Sequence, residues 1–203
     1  MARRCILAAG FLAALAVLLP PLAAMGQHLF AAHMAQHLLL IAVAAPLLVT
    51  GGVRLNIRPL TAWLVFVGIF LFWHWPAAFR WASGRLMTEW LEMLSILIAA
   101  LLFWSAALTA NALSYGGRAL LVMTAAVATD LPGVVMVFSP TNFTQMPQEN
   151  AAAFGLSLLA DQQIAGLLMW VPANLVFFAF ATLLFAWWLE PPSPAGAAKE
   201  ISA

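Results

Sequence analysis

Long stretches of this chain carry no charge at all. No Asp, Glu, Lys or Arg occurs between Phe30 and Val49, between Leu60 and Ala78, or between Met93 and Asn111. Each stretch approaches the ~20 apolar residues a helix needs to cross a bilayer core. In lipid every backbone N–H and C=O must be satisfied within the structure, so such runs specify helices and exclude open sheets. Charged residues make up 7% of the sequence, against roughly 25% in soluble domains, so the chain cannot cover a water-facing surface. Its 203 residues leave room for roughly five or six spans and short loops, and none for a separate soluble domain. The formal net charge of +1 gives no basis for binding nucleic acid. A single cysteine, Cys5, excludes an internal disulfide and a multi-cysteine metal site.

The segments order themselves along the chain. Residues 1–26 begin with Arg3 and Arg4, run apolar from Cys5 to Leu19 and reach Pro20-Pro21. That pattern fits either a signal peptide, with small residues at Ala24 and Gly26, or a retained first helix. Residues 27–190 form the membrane domain. Its spans run from about Phe30 to Val49, Leu60 to Ala78, Thr88 to Ala110, Ala119 to Phe138 and Asp161 to Leu189, the last kinked at Pro172. Ser139 to Ser157 is the longest loop, and residues 191–203 read as a disordered tail. The expected fold is all-α: a polytopic transmembrane bundle of five core spanning helices plus an N-terminal signal peptide or sixth helix.

Lys and Arg favour the cytoplasmic side of a membrane. With Arg3 and Arg4 inside, Arg54, Arg58, Arg118 and Lys199 also fall inside, and Arg80 and Arg85 fall outside. In that frame the C-terminus is cytoplasmic and the unusual polar residues gather in the outer leaflet. They are His28, His33 and His37, then His74, then Glu89 and Glu92, then Asp130, and finally Asp161, Gln162 and Gln163. Imidazoles and carboxylates are costly in a bilayer and should face the bundle interior and each other. His33 and His37 lie one helical turn apart on one face, which suits a single metal ion or a haem ligand with a neighbour. Met34 adds a soft thioether. Each residue also has a plainer role. The histidine pair can cap a buried helix end, Asp161 can cap its helix, and Glu89 and Glu92 suit a helix N-terminus. His74, between two tryptophans, suits an interfacial belt, and Asp130 can be protonated and bonded to a neighbouring helix.

Three stretches carry a family resemblance. His33-Met34-Ala35-Gln36-His37-Leu38-Leu39-Leu40 is followed by Ala45-Pro46-Leu47-Leu48 and Gly51; Phe72-Trp73-His74-Trp75-Pro76 comes next; and Asp161-Gln162-Gln163-Ile164-Ala165-Gly166-Leu167-Leu168-Met169-Trp170-Val171-Pro172 closes the set. Their order and spacing resemble the signatures of the cytochrome c oxidase assembly factor CtaG family, over about Gln27 to Leu189. The resemblance implies a multi-pass protein of the bacterial inner membrane, not an enzyme. It would act with cytochrome c oxidase subunits and handle copper at the periplasmic face. The matching polar positions are His33, His37, His74, Asp161, Gln162 and Gln163. One stretch departs: where relatives carry His-x-x-Glu-His, this chain reads Glu89-Trp90-Leu91-Glu92-Met93, keeping only Glu92.

These readings give expected copper ligands His33, His37 and His74, with Met34 and Met93 as soft donors suited to Cu(I). Asp161, Gln162, Gln163, Asp130, Glu92 and His28 are expected around them, with Asp161 and Asp130 orienting imidazoles by accepting a ring N–H. The alternatives are a b-type haem clamped between a histidine of the first core span and His74, or a structural partner of a respiratory oxidase, or a small transporter. No Ser-His-Asp set, phosphate loop or zinc-protease helix is present in the sequence.

Overall fold

A computed structural model describes residues 1–83, 85–109, 112–142, 144 and 148–190. The tail expected from residue 191 onward lies outside the described residues. Within them the chain is helical: α1 (Ala2–Leu18), α2 (Leu22–His28), α3 (Phe30–Leu38), a π-helical turn (Leu39–Ala44), α4 (Ala45–Gly51), α5 (Pro59–Trp73), α6 (Pro76–Ala82), α7 (Leu86–Thr109), α8 (Tyr115–Phe138), α9 (Gln148–Ala152) and α10 (Leu158–Leu189). Among the described residues four segments are long and apolar enough to cross a membrane: Phe30–Gly51, α7, α8 and α10. The bent pairs α1–α2 and α5–α6 raise the number to six if each pair is one span. The expected helical bundle is the architecture found, and many large apolar side chains, such as Leu60, Leu64, Leu120, Leu131 and Leu175, are exposed on it.

The spans alternate between two ends of the bundle. α3 begins beside the start of α10, because Asp161 bonds its first turn, and its continuation α4 ends at Gly51 beside Arg3. The α4 end is sharp. Gly52 has φ 123°, its N–H bonds Val49 O, and the Val53 N–H bonds Leu48 O. That is the paired-carbonyl closure a left-handed residue permits, and glycine adopts it without Cβ strain. α1 packs along α4 and the π turn. The approach is close enough that a Cβ on Gly51 would lie 2.7 Å from Leu7 Cα.

The sequence predicts one uniform helix from Phe30 to Val49, yet the middle of it is a π turn. Pro46 is the cause. It has no N–H to donate and its ring crowds the preceding carbonyls. The Ala45 N–H reaches back to Leu40 O instead of Ile41 O, so Ile41 O has no donor from its own helix. The Trp104 indole N–H, fully buried on α7, donates to that oxygen at 2.7 Å. Trp104→Phe should therefore destabilise the protein by about 1–3 kcal/mol, the cost of a buried unsatisfied carbonyl. Adding Pro46→Ala restores a helical N–H and should recover part of the loss in thermal unfolding.

The span expected from Leu60 to Ala78 breaks at Trp75-Pro76, where α5 and α6 meet at a 74° bend. The residue before proline is pushed out of the helical region, and Trp75 sits at φ −72°, ψ 129°. The α8–α10 pair forms the most extensive helix contact. α10 continues as one helix on both sides of Pro172. The loop after α8 contains the short helix α9. Phe66, Phe103 and Phe177 stack between α5, α7 and α10, with ring centroids 4.6 to 6.4 Å apart.

Candidate metal centre

The site starts with a helix end held from outside. The carboxylate of Asp161 accepts the backbone N–H of Phe30 at 2.8 Å and of Ala31 at 2.9 Å. Those are first-turn donors with no partner inside α3, and Leu29 before them has no side chain able to cap. α10 thus caps α3 in trans and fixes the rotation of the two histidines one turn further on. His33 and His37 stack edge-on, with ring centroids 4.7 Å apart.

Glu92, on α7, faces both rings. Its Oε1 lies 3.1 Å from His33 Nε2 and 3.1 Å from His37 Nε2. All three side chains are buried: His33 is 8% exposed, His37 1% and Glu92 0%. α7 is locked beside α5 by Trp73, whose indole N–H donates to Ser95 Oγ at 2.8 Å, while Ser95 Oγ donates to Glu92 O. His74 sits at the α5–α6 break, where its Nδ1 meets Phe70 O at 2.6 Å and its Nε2 meets His37 Nδ1 at 3.4 Å.

With His37 and His74 both neutral, these distances decide where the ring protons go. A carbonyl oxygen only accepts, so His74 Nδ1 carries a proton and, in the neutral ring, Nε2 is a lone pair. His37 Nδ1 must then donate to it, which leaves His37 Nε2 as a lone pair facing a carboxylate oxygen. Two acceptors 3.1 Å apart repel. Among the described residues neither His37 Nε2 nor Glu92 Oε2 has a hydrogen-bond partner. A cation between the rings and the carboxylate removes the conflict. Donors that share a metal at ~2.0–2.2 Å lie roughly 3 Å apart. The candidate ligand atoms of His33, His37 and Glu92 lie within 4.8 Å of one another.

The surroundings close the site on most sides. The bend at Pro76 brings α6 back over α3, and Phe79 packs edge-on against His33 at 5.5 Å and Phe30 at 4.8 Å. Below His37 only a void of about 20 Å³ separates it from Phe66, Phe70 and Phe177. One side is open: a cavity of about 230 Å³ between the α1–α2 elbow, α3 and α7 reaches His33, with Gln27, Gln36, Glu89 and Met93 on its walls.

The expected residues divide accordingly. His33 and His37 come together as the spacing suggests. Glu92, expected among the surrounding groups, stands with the candidate ligand atoms. His74, expected as a ligand, stands one ring further out and orients His37. Met93 shares the open cavity with His33, and Met34 borders a small void with His74. Asp161 and Asp130 do not orient imidazoles. Asp161 caps α3, and Asp130 accepts Asn174 Nδ2–H at 2.7 Å across the α8–α10 contact. Gln162 donates to Met136 O and Thr141 O, and Gln163 to Val137 O, so both grip the end of α8. His28 is exposed in the last turn of α2. Neither the Phe70 carbonyl nor Phe79 as a cover has a signal in the residue pattern, since both depend on the break at Trp75-Pro76.

The chain matches the family model described as cytochrome c oxidase caa3 assembly factor (Caa3_CtaG) over residues 1–190. No curated protein and no solved structure matches it.

Proposed function

The chain belongs to the cytochrome c oxidase caa3 assembly factor family, and on that premise we propose that it serves the oxidase by carrying copper at His33, His37 and Glu92. The observation that carries this reading is the buried lone-pair conflict: His37 Nε2 and Glu92 Oε2 lack hydrogen bonds while Oε1 sits 3.1 Å from two imidazole nitrogens. Two imidazoles and a carboxylate form a donor set that copper accepts. Met93, on the wall of the cavity that reaches His33, adds a thioether suited to Cu(I) along the way in. Copper is here a cargo, exchanged through that cavity with an oxidase subunit.

We place the site at the periplasmic face. Arg3 beside Gly51, Arg54 and Arg58 beside Thr109, and Arg118 beside Leu108 lie at the far end of the bundle, which the preference of Lys and Arg assigns to the cytoplasm. No observation favours the haem alternative. The His37 and His74 rings touch edge-on with centroids 5.2 Å apart, and His74 Nε2 is already engaged by His37.

Copper titration of the purified protein tests the reading. Wild type should bind one equivalent, and the His33→Ala, His37→Ala double variant should bind none. Unchanged binding in the double variant rejects the site. A reduced-minus-oxidised spectrum of the same preparation should show no Soret band.

A further inference from the structure

We propose that the end of the bundle opposite the histidines holds a second site, which binds the phosphate of an anionic phospholipid headgroup. The loop from 53 to 58 joins α4 to α5 without regular structure. Leu55 N–H donates to Ser105 Oγ on α7, which pins the loop against that helix. Between them lies a cavity of about 490 Å³, with Arg54, Asn56 and Arg58 on one wall and Ser105 and Thr109 on the other.

Its charge is unbalanced. Among the described residues the side chains of Arg54 and Arg58 make no ion pair or hydrogen bond, and Glu92, the carboxylate that pairs with His33 and His37, lies at the other end. Arg3 adds a third guanidinium nearby. Its Nε donates to Gly51 O at 3.2 Å, and its head lies against Gly52, two residues before Arg54.

A guanidinium fork matches phosphate oxygens bidentately, and the amide and hydroxyl groups supply further donors. The loop lies between the Gly51–Gly52 end of one span and Pro59 at the start of the next, which puts the cavity at headgroup depth. Basic pockets between helices on the cytoplasmic side are where anionic lipid headgroups bind. A lipid held there would join α4, α5 and α7 at the end of the bundle that the copper centre does not reach.

The test is native mass spectrometry of the full chain in micelles, with phosphatidylglycerol or phosphatidylcholine added. Wild type should retain phosphatidylglycerol in preference to phosphatidylcholine by on the order of ten- to thirtyfold, about what two arginines contribute at a membrane surface. The Arg54→Gln, Arg58→Gln variant should lose the preference, while Arg85→Gln, at the opposite end, should keep it. Unchanged helical circular dichroism and an unchanged copper equivalent establish that the variants are folded. Inorganic phosphate that displaces the lipid at millimolar concentration identifies the free anion as an alternative source of the same chemistry; phosphate without effect identifies the headgroup. Equal retention of the two lipids, or a preference that survives the double substitution, overturns the proposal.

Discussion

Glu92→Gln should make the metal-free protein more stable and its copper binding weaker, two changes of opposite sign from one atom exchanged. In the metal-free site His37 Nε2 is a lone pair against Oε1, and Glu92 Oε2 has no partner. A glutamine amide presents an N–H where the carboxylate presents an oxygen. With His33 in the tautomer that leaves its Nε2 a lone pair, the two amide hydrogens serve both rings, the acceptor–acceptor contact becomes a hydrogen bond and a buried charge is removed. The expected gain is about 1–2 kcal/mol in thermal or denaturant unfolding after chelator treatment. In the loaded site the same exchange removes an anionic ligand. Copper affinity should fall at least about 100-fold, the upper end of what losing an orienting partner alone costs. A structural role predicts otherwise. If Glu92 served as the counter-ion of a protonated His37, glutamine would break a buried ion pair and destabilise the protein. Chelated unfolding curves of the two proteins, side by side, separate the cases. A Glu92→Gln protein less stable than wild type sinks the ligand assignment for Glu92.

The bundle was legible from sequence because a bilayer leaves few alternatives. Uncharged runs of span length must be helices, and the ends of α7, α8 and α10 fall within a few residues of where hydropathy puts them. The histidine pair was legible for a similar reason, since spacing along one helix needs no knowledge of neighbours. What escaped depends on contacts between segments. Glu92 was expected around the metal, but its contact with both rings depends on the packing of α7 against its neighbours. Pro76 announces a helix start, but the 74° bend that lays Phe79 over His33 is a tertiary result. The π turn follows from Pro46 only once Trp104 is known to supply the missing donor. Asp161 and the two glutamines look like metal-site residues in sequence because they sit in the same layer. They bond backbone groups of α3, of α8 and of the loop after it, which no side-chain pattern displays.

Asp161 itself supports the second large effect. Its two oxygens take the N–H groups of Phe30 and Ala31, so Asp161→Ala leaves two buried donors without acceptors. Charge-assisted bonds to backbone N–H groups contribute more than neutral ones, and the expected loss is about 2–4 kcal/mol. Asp161→Asn keeps one acceptor oxygen and should lose roughly half of that. Copper binding provides the more telling readout. If Asp161 acted on an imidazole ring, Asn and Ala would weaken binding alike, since neither is a carboxylate. Acting through the end of α3, it affects the metal only by letting His33 and His37 rotate together. Binding should therefore follow helix integrity: nearly preserved in Asp161→Asn, and about 10- to 100-fold weaker in Asp161→Ala, the range for removing groups that orient ligands. Hydrogen exchange at the amides of residues 30 to 33 provides an independent measure, because protection there depends on the cap and not on the metal. Faster exchange in Asp161→Ala with wild-type copper affinity would show that the α3 end can fray without disturbing the histidines, and would detach the cap from the site.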